Sequence, residues 1–295
     1  MHKKYSVGQY IFNVFNIMIM LLLVVIMFYP VWYVLVASFT SSDALISHKG
    51  ILLCPKGFTV NAYKLMMKNP MIVRGYLNSI FLVVAGVASN IVFTSVAAYV
   101  LSRKNVFWNR FIMLMIIFTM YFSGGLIPKY LLISKTLHLS NTYWALLLPA
   151  LINTYNLIIM RTSFAALPDS LIESASLDGA GHWRILIRIV VPLSMPVIAV
   201  MILYYAVGIW NSWFEASIYI KERTLFPLQL ILREILIDND TTSMTAGSGD
   251  ASDIMSIAES VKYAVIVFAT VPILCVYPFL QKYFVKGIMI GSVKG

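Results

Sequence analysis

The sequence predicts an all-α, polytopic membrane protein with six transmembrane helices. Three observations predict it. Of 295 residues, 60% are hydrophobic and 12% charged, whereas a soluble domain carries about half apolar and roughly a quarter charged residues. The apolar residues fall in long charge-free windows rather than in a soluble periodic pattern. Each window is close to the ~20 residues that cross ~30 Å of hydrocarbon as a helix. Backbone groups in lipid must pair within their own segment, which selects helices.

The windows justify the spans in order. No charge lies between Lys4 and Asp43, which predicts a first span over about 11–38. Its basic start, Lys3 and Lys4, resembles a signal peptide, but the apolar run exceeds the ~7–15 residues of a signal core and reads as a retained span. The second span, about 75–102, lies between Arg74 and Arg103. Gly86, Ala88, Ser89, Ser95, Ala97 and Ala98 give it small side chains, which allow close helix approach. The third, about 108–128, fills Arg110 to Lys129, and the fourth, about 141–161, fills His138 to Arg161. The fifth, about 189–213, follows Arg188, and the sixth, about 261–281, lies between Lys262 and Lys282. Pro30, Pro149, Pro196 and Pro272 lie in or near spans, where a proline is either tolerated or kinks the helix.

Residues 1–295 read as a single transmembrane domain. Six spans place both termini on one side. Lys and Arg divide evenly between the two sides, so local density decides. Arg103, Lys104 and Arg110 crowd one short turn, and Lys282, Lys286 and Lys294 crowd the C-terminal tail. That density predicts N-in, C-in.

Composition also excludes classes. Two cysteines, Cys54 and Cys275, make no disulfide framework. The net charge of +10 is dispersed and does not describe a nucleic-acid surface. His2, His48, His138 and His182 show no metal-ligand spacing. The charge-free windows offer no ionisable residue for ion coupling in a secondary transporter, and no cluster of His, Asp or Cys for a membrane enzyme. A phosphate-cradling Gly-x-x-x-x-Gly-Lys-Ser/Thr is absent from the sequence, so ATP has no such site here.

The segment of about 165–188 is too polar for a span. Pro168 opens a helix, Ser170 and Glu173 have capping-box spacing, and Gly179 ends it. The reading is a cytoplasmic helix of about two turns, then a second helix from about Trp183. On local grammar, Glu173 and Gly179 read equally as structural cap and stop or as parts of a docking surface.

The wider spacing carries a resemblance. Glu173-Ser174-Ala175, three residues, Gly179, nine residues, then Ile189-Val190-Val191-Pro192 resembles the signature of importer-type ABC transporter permeases. That signature reads Glu-Ala-Ala, three residues, Gly, nine residues, Ile-x-Leu-Pro. Ser174 and Val191 depart from it. Asp178-Gly179-Ala180 resembles the sugar-importing branch. So do Asn78-Ser79, Ala97-Ala98-Tyr99 with Ser102-Arg103, Asn141-Thr142 to Pro149, and Trp210-Asn211. The tail from Gln281 to Gly295 resembles the second permease subunit of oligosaccharide importers, closest to the subgroup for complex oligosaccharides or polysaccharide fragments.

The resemblance implies an importer-type permease fold in a bacterial cytoplasmic membrane, with a carbohydrate as cargo. It implies a second homologous permease, a dimer of ATPase subunits that holds ATP and Mg, and an extracellular solute-binding protein. This chain would bind no cofactor. Glu173, Ser174, Ala175, Asp178, Gly179 and Ala180 would couple to the ATPase. The tail residues Lys286, Gly287, Gly291 and Lys294 read either as a further ATPase contact or as a basic end near anionic lipid. Sugars are held by hydroxyl hydrogen bonds and by aromatic faces. The candidates are Asn153, Tyr155 and Asn156 on the fourth span, and Tyr204, Tyr205, Trp210, Asn211 and Trp213 on the fifth. Each also fits an interfacial belt or a helix-to-helix bond. A permease of the same fold for peptides or amino acids is the alternative. Outside loops at 40–74 and 215–262 are long, and the second reads as lying near a solute-binding protein.

Overall fold

The structure is a computed structural model, and it describes residues 7–48, 50–237, 260–275 and 278. The described residues are helical, with no strand among them. They divide into two compact units, 1–70 with 235–270, and 71–234 with 271–295.

The first unit holds α1 (Val7–Ser38), α2 (Ser42–Ser47) and α3 (Asn61–Lys68). Helix α1 is 32 residues long, and its apolar window is 0% buried within the chain. Such a helix finds its solvent in lipid or in another protein. Pro30 sits inside it. Beyond Ser38 the chain forms a small cap. Val36, Ala37, Leu45 and Leu52 bury one another, with Tyr33 and Tyr263 packed against them. Ser38 Oγ shares a hydrogen bond of 2.8 Å with Tyr63 Oη, and Trp32 Nε1 donates to the Leu53 carbonyl. Ser42 and Ser260 join by their hydroxyls at 2.9 Å, so the helix Ser260–Cys275 starts against this cap. Cys54 and Cys275 are free and exposed.

The second unit is organised on α4 (Pro70–Ser102). Its buried residues are Ile72, Gly75, Ser79, Leu82, Gly86, Asn90, Thr94, Ser95, Ala98, Tyr99 and Leu101. They recur at three- and four-residue steps, so they form one helical stripe. The stripe is small and polar, which lets neighbours approach closely. A Cβ on Gly86 would stand 2.6 Å from Ile209 Cδ1 and 3.2 Å from Leu147 Cδ2. Of the small residues singled out in the sequence, Gly86, Ser95 and Ala98 lie in the stripe, whereas Ala88 faces outward.

Three of the expected spans are broken. The third window turns by 108° between α5 (Asn109–Tyr121) and α6 (Leu126–Leu131), which continues in a π-helical turn to Thr136. Gly125, at φ 85°, stands at that turn. The fourth bends by 45° between α7 (Trp144–Leu147) with its 3₁₀ extension to Ala150 and α8 (Thr154–Ala165). The fifth bends by 86° between residues 182–193 and α12 (Met195–Trp210). Pro149 precedes the second bend, and Pro192 and Pro196 flank the third. Proline removes a backbone donor and clashes with the preceding turn. Two described helices are single apolar spans by length, and up to five spans result if each bent pair counts as one.

Between α8 and α12 run α9 (Asp169–Leu177), α10 (His182–Ile185), a π-helical turn to Val190 and α11 (Val191–Leu193). After α12 come α13 (Phe214–Tyr219) and α14 (Leu228–Ile237).

Two clasps join these helices, and their residues are those that carried the resemblance. Asn78 Nδ2 donates to the carbonyls of Thr224 and Phe226 at 2.9 and 3.0 Å, and the Leu228 N–H donates to Ser79 Oγ at 2.8 Å. Asn141 Oδ1 accepts from the N–H groups of Lys221 and Glu222, while its own N–H donates to the Tyr219 carbonyl at 2.8 Å. Asn141 has φ 61°, a left-handed conformation that Asn tolerates better than most side chains. These bonds engage backbone groups of the irregular stretch after α13.

Ser79→Ala leaves the buried Leu228 N–H without its acceptor, a loss of ~1–3 kcal/mol. The thermal midpoint of the detergent-solubilised variant should fall by several degrees. A midpoint equal to the native one would show that the clasp carries no stability.

Candidate functional site

The first part of the site is α9 and its supports. The helix starts at Asp169 behind Pro168, and no side chain caps it. The capping box expected of Ser170 and Glu173 is therefore not formed, because Ser170 lies inside the first turn. Asp169 supplies the acidic group there instead, where negative charge suits the helix dipole. Its carboxylate meets Lys104 Nζ at 2.7 Å on the exposed surface. The hydrogen bond and charge of Lys104 hold the Asp169 carboxyl below its ordinary value, and the same contact raises the Lys104 ammonium. The pair thus persists at neutral pH and is lost as pH falls through the lowered carboxyl pKa or rises through the raised ammonium pKa.

The C-terminal end of α9 closes as a Schellman motif. The Ala180 N–H donates to the Ala175 carbonyl at 2.9 Å, and the Gly179 N–H to the Ser176 carbonyl at 3.1 Å. Gly179 stands at φ 78° with open space where a Cβ would point. The expected stop at Gly179 is therefore present, and the following helix begins at His182, one residue before the expected Trp183.

The helix has two faces. Ile172 and Ala175, with Ala180 beyond the turn, pack against the chain's own buried cluster. That cluster includes Tyr99, Met160, Phe164, Ile185 and Val190. Glu173, Ser174, Leu177, Asp178 and Gly179 are exposed, and Leu177 shows 88% of its surface. Of the six coupling candidates, Ala175 and Ala180 thus face inward and the other four outward. The sequence motif does not separate them, since small residues suit either face.

The supports come from the C-terminal end of α4 and the residues that follow it. Arg103 donates to the Phe164 carbonyl at 3.1 Å and lies over the Tyr99 ring at 5.2 Å. Arg161 Nε and Asn109 Nδ2 both donate to the Leu101 carbonyl, at 3.0 and 3.1 Å. Tyr99 Oη and His182 Nδ1 are 3.3 Å apart. A groove of about 910 Å³ runs between Tyr99, Arg103, Glu173, Leu177, His182 and Trp183.

The second part of the site is a cavity of about 540 Å³ among α4, the bent fourth segment and α12. Asn153, Asn156, Tyr204, Tyr205, Asn211 and Trp213 line it, which brings most of the expected sugar candidates together. Tyr205 Oη bonds Thr94 Oγ1 at 2.7 Å and accepts from the Asn153 N–H at 3.2 Å. Asn153 Oδ1 caps α8 by accepting from the Asn156 N–H. Lys129 and Glu215, 3.8 Å apart, also line the cavity. Tyr155 is half exposed and outside the lining, and Trp210 is buried edge-on against Tyr76 at 5.6 Å. Trp210 therefore packs helices. Asn90, which sequence reasoning missed, belongs to the lining. Its place between Gly86 and Thr94 in the four-residue stripe of α4 was the available signal. Lys286, Gly287, Gly291 and Lys294 lie outside the described residues.

Known proteins match the chain over most of its length. Protein LplC of Bacillus subtilis (strain 168) is 44% identical over 286 residues, covering 97% of this chain and 95% of its own. The polygalacturonan/rhamnogalacturonan transport system permease protein YtcP of the same organism is 41% identical over 271 residues, covering 90% and 92%. Among solved structures, a bacterial ABC transporter involved in the import of the acidic polysaccharide alginate includes a chain with TM-score 0.86 and 28% identity, covering 96% of this chain and 99% of that one. Residues 90–290 match the binding-protein-dependent transport system inner membrane component, and the chain belongs to that family.

Proposed function

We propose that this chain is the transmembrane permease subunit of an ATP-driven importer that carries an oligosaccharide into the cytoplasm. The single observation that carries the cargo class is the 41% identity, across 90% of the chain, to a polygalacturonan/rhamnogalacturonan permease. A galacturonan fragment is therefore the first sugar to test. The cavity offers the right chemistry, with amides for hydroxyls and Tyr204, Tyr205 and Trp213 for ring faces.

The chain acts as one permease domain over 1–295, crossing a bacterial cytoplasmic membrane six times with both termini inside. Each bent pair then serves as one span, and the segment from Ser260 supplies the sixth. A second homologous permease, an ATPase dimer and an extracellular solute-binding protein complete the machine. ATP and Mg sit on the ATPase, and this chain holds neither.

Coupling runs through α9. Glu173, Ser174, Asp178 and Gly179 meet the ATPase, while Ala175 and Ala180 seat the helix on this chain's own core. A helix fixed at both ends passes on a displacement that a loose loop would absorb.

In membrane vesicles containing the whole transporter, Glu173→Ala should keep expression and thermal stability and lower uptake by tenfold or more. Gly179→Asp should also abolish uptake, although the left-handed backbone adds ~1–2 kcal/mol of strain there. Native uptake in Glu173→Ala would exclude the docking role. Cargo class is read separately, by competition for the partner solute-binding protein. Trigalacturonate should compete with bound cargo, and displacement by peptides alone would establish the peptide-importing reading instead.

A further inference from the structure

Among the described residues that line the 540 Å³ cavity, Lys129 and Glu215 are the charged ones, one of each sign. Lys129 reaches the cavity on α6, beyond the 108° turn that follows α5, and Glu215 stands in the first turn of α13. Their closest atoms are 3.8 Å apart, beyond the ~2.7–2.9 Å of a charge-assisted hydrogen bond. The side chains are 44% and 41% exposed, so water reaches both and screens their attraction. The partners are unequal. Glu215 Oε2 accepts from Ser212 Oγ at 3.1 Å, which fixes that carboxylate. Lys129 carries three donors on a flexible four-carbon stem. The pair is also not what joins its two helices. Tyr130 stacks on Tyr219 at 6.1 Å, and Ile133, just beyond α6, is buried with Ala145 and Tyr219. Apolar contacts thus hold this segment to α13 and α7. A water-accessible cation that makes no short hydrogen bond to its partner has room for a second anion.

We infer that Lys129 is the group that selects cargo in this subunit, its ammonium taking a carboxylate of an anionic oligosaccharide as the sugar passes the cavity. The assignment rests on the oligosaccharide reading and deepens it, since it names the chemical class as a uronate. Every ring of the galacturonan fragment proposed as cargo carries one carboxylate. Lys129 and Glu215 close the third and fifth charge-free windows. In the proposed topology both therefore stand on the outer side, where cargo enters. The Lys129 stem extends to the cargo while Ser212 keeps Glu215 in place, and Tyr204 and Trp213 border the ring.

The test uses the complete transporter in proteoliposomes, with a saturating amount of its solute-binding protein, ATP and labelled trigalacturonate. The readout is sugar imported per ATP hydrolysed. Lys129→Gln should lower this ratio about fivefold or more, because a hydrogen bond to a charged group is lost, and should keep the native thermal midpoint. Lys129→Arg should restore the ratio to within about twofold, since a guanidinium also binds carboxylates. Glu215→Gln should not lower it, because the cation remains. A native ratio in Lys129→Gln overturns the assignment. So does an equal loss in Lys129→Gln and Glu215→Gln, which would make the ion pair structural. Uptake and hydrolysis that fall together with the ratio intact would place Lys129 in docking of the solute-binding protein and overturn it as well. Galactotriose, the neutral counterpart of trigalacturonate, separates the two readings. If the native transporter imports galactotriose and not trigalacturonate, the oligosaccharide reading stands and this inference fails. If it imports peptides and neither sugar, the carbohydrate reading itself fails, and the inference falls with it.

Discussion

The second unit depends on one constraint, which is that a helix break in a membrane protein must satisfy its own backbone. Helix α4 meets that constraint at both ends. At one end Asn78 and Ser79 bond the irregular stretch from Thr224 to Leu228. At the other, the Leu101 carbonyl accepts from both Asn109 and Arg161, and Arg103 reaches the Phe164 carbonyl. Between the ends a small, polar stripe lets the fourth and fifth segments come close. Those segments are bent, so the stripe is only partly covered, and the cavity is what remains.

The same economy places α9. Tyr99 and His182 tie the C-terminal end of α4 to the loop, and Ile172 and Ala175 seat the helix on the core. The Schellman turn at Gly179 then fixes where the helix stops. One face is spent on the chain's own packing, so the other face is what a partner can meet. The motif is thus half internal architecture and half exposed surface. The two halves share the small residues that gave the motif its pattern.

Much of this was legible in the sequence. The charge-free windows located the apolar segments, and Gly179 announced its left-handed turn. Asn153, Asn156, Tyr205, Asn211 and Trp213 were drawn from span position and chemistry, and they converge on one cavity. The bends were not legible, because hydropathy reports that a segment is apolar and not that it is straight. Pro149, Pro192 and Pro196 are tolerated in straight spans as readily as at breaks. Trp210 and Tyr155 lie outside the cavity lining, because an aromatic side chain that packs a helix looks the same in sequence as one that lines a path. Ser170 lost its cap because Pro168 and Asp169 start the helix first. Asn90 was hidden among small residues of α4, where its four-residue spacing from Gly86 and Thr94 reads as packing.

The central claim is that this chain transports only as part of a larger machine, driven from outside its own sequence. Gentle solubilisation of the tagged chain from its native membrane, with mass spectrometry of what co-purifies, tests it most directly. The account predicts a second multi-span permease and an ATPase in about twofold excess, with a solute-binding protein whose ligand is an oligosaccharide. Recovery of the chain alone, or only with copies of itself, after crosslinking in the intact membrane would contradict it.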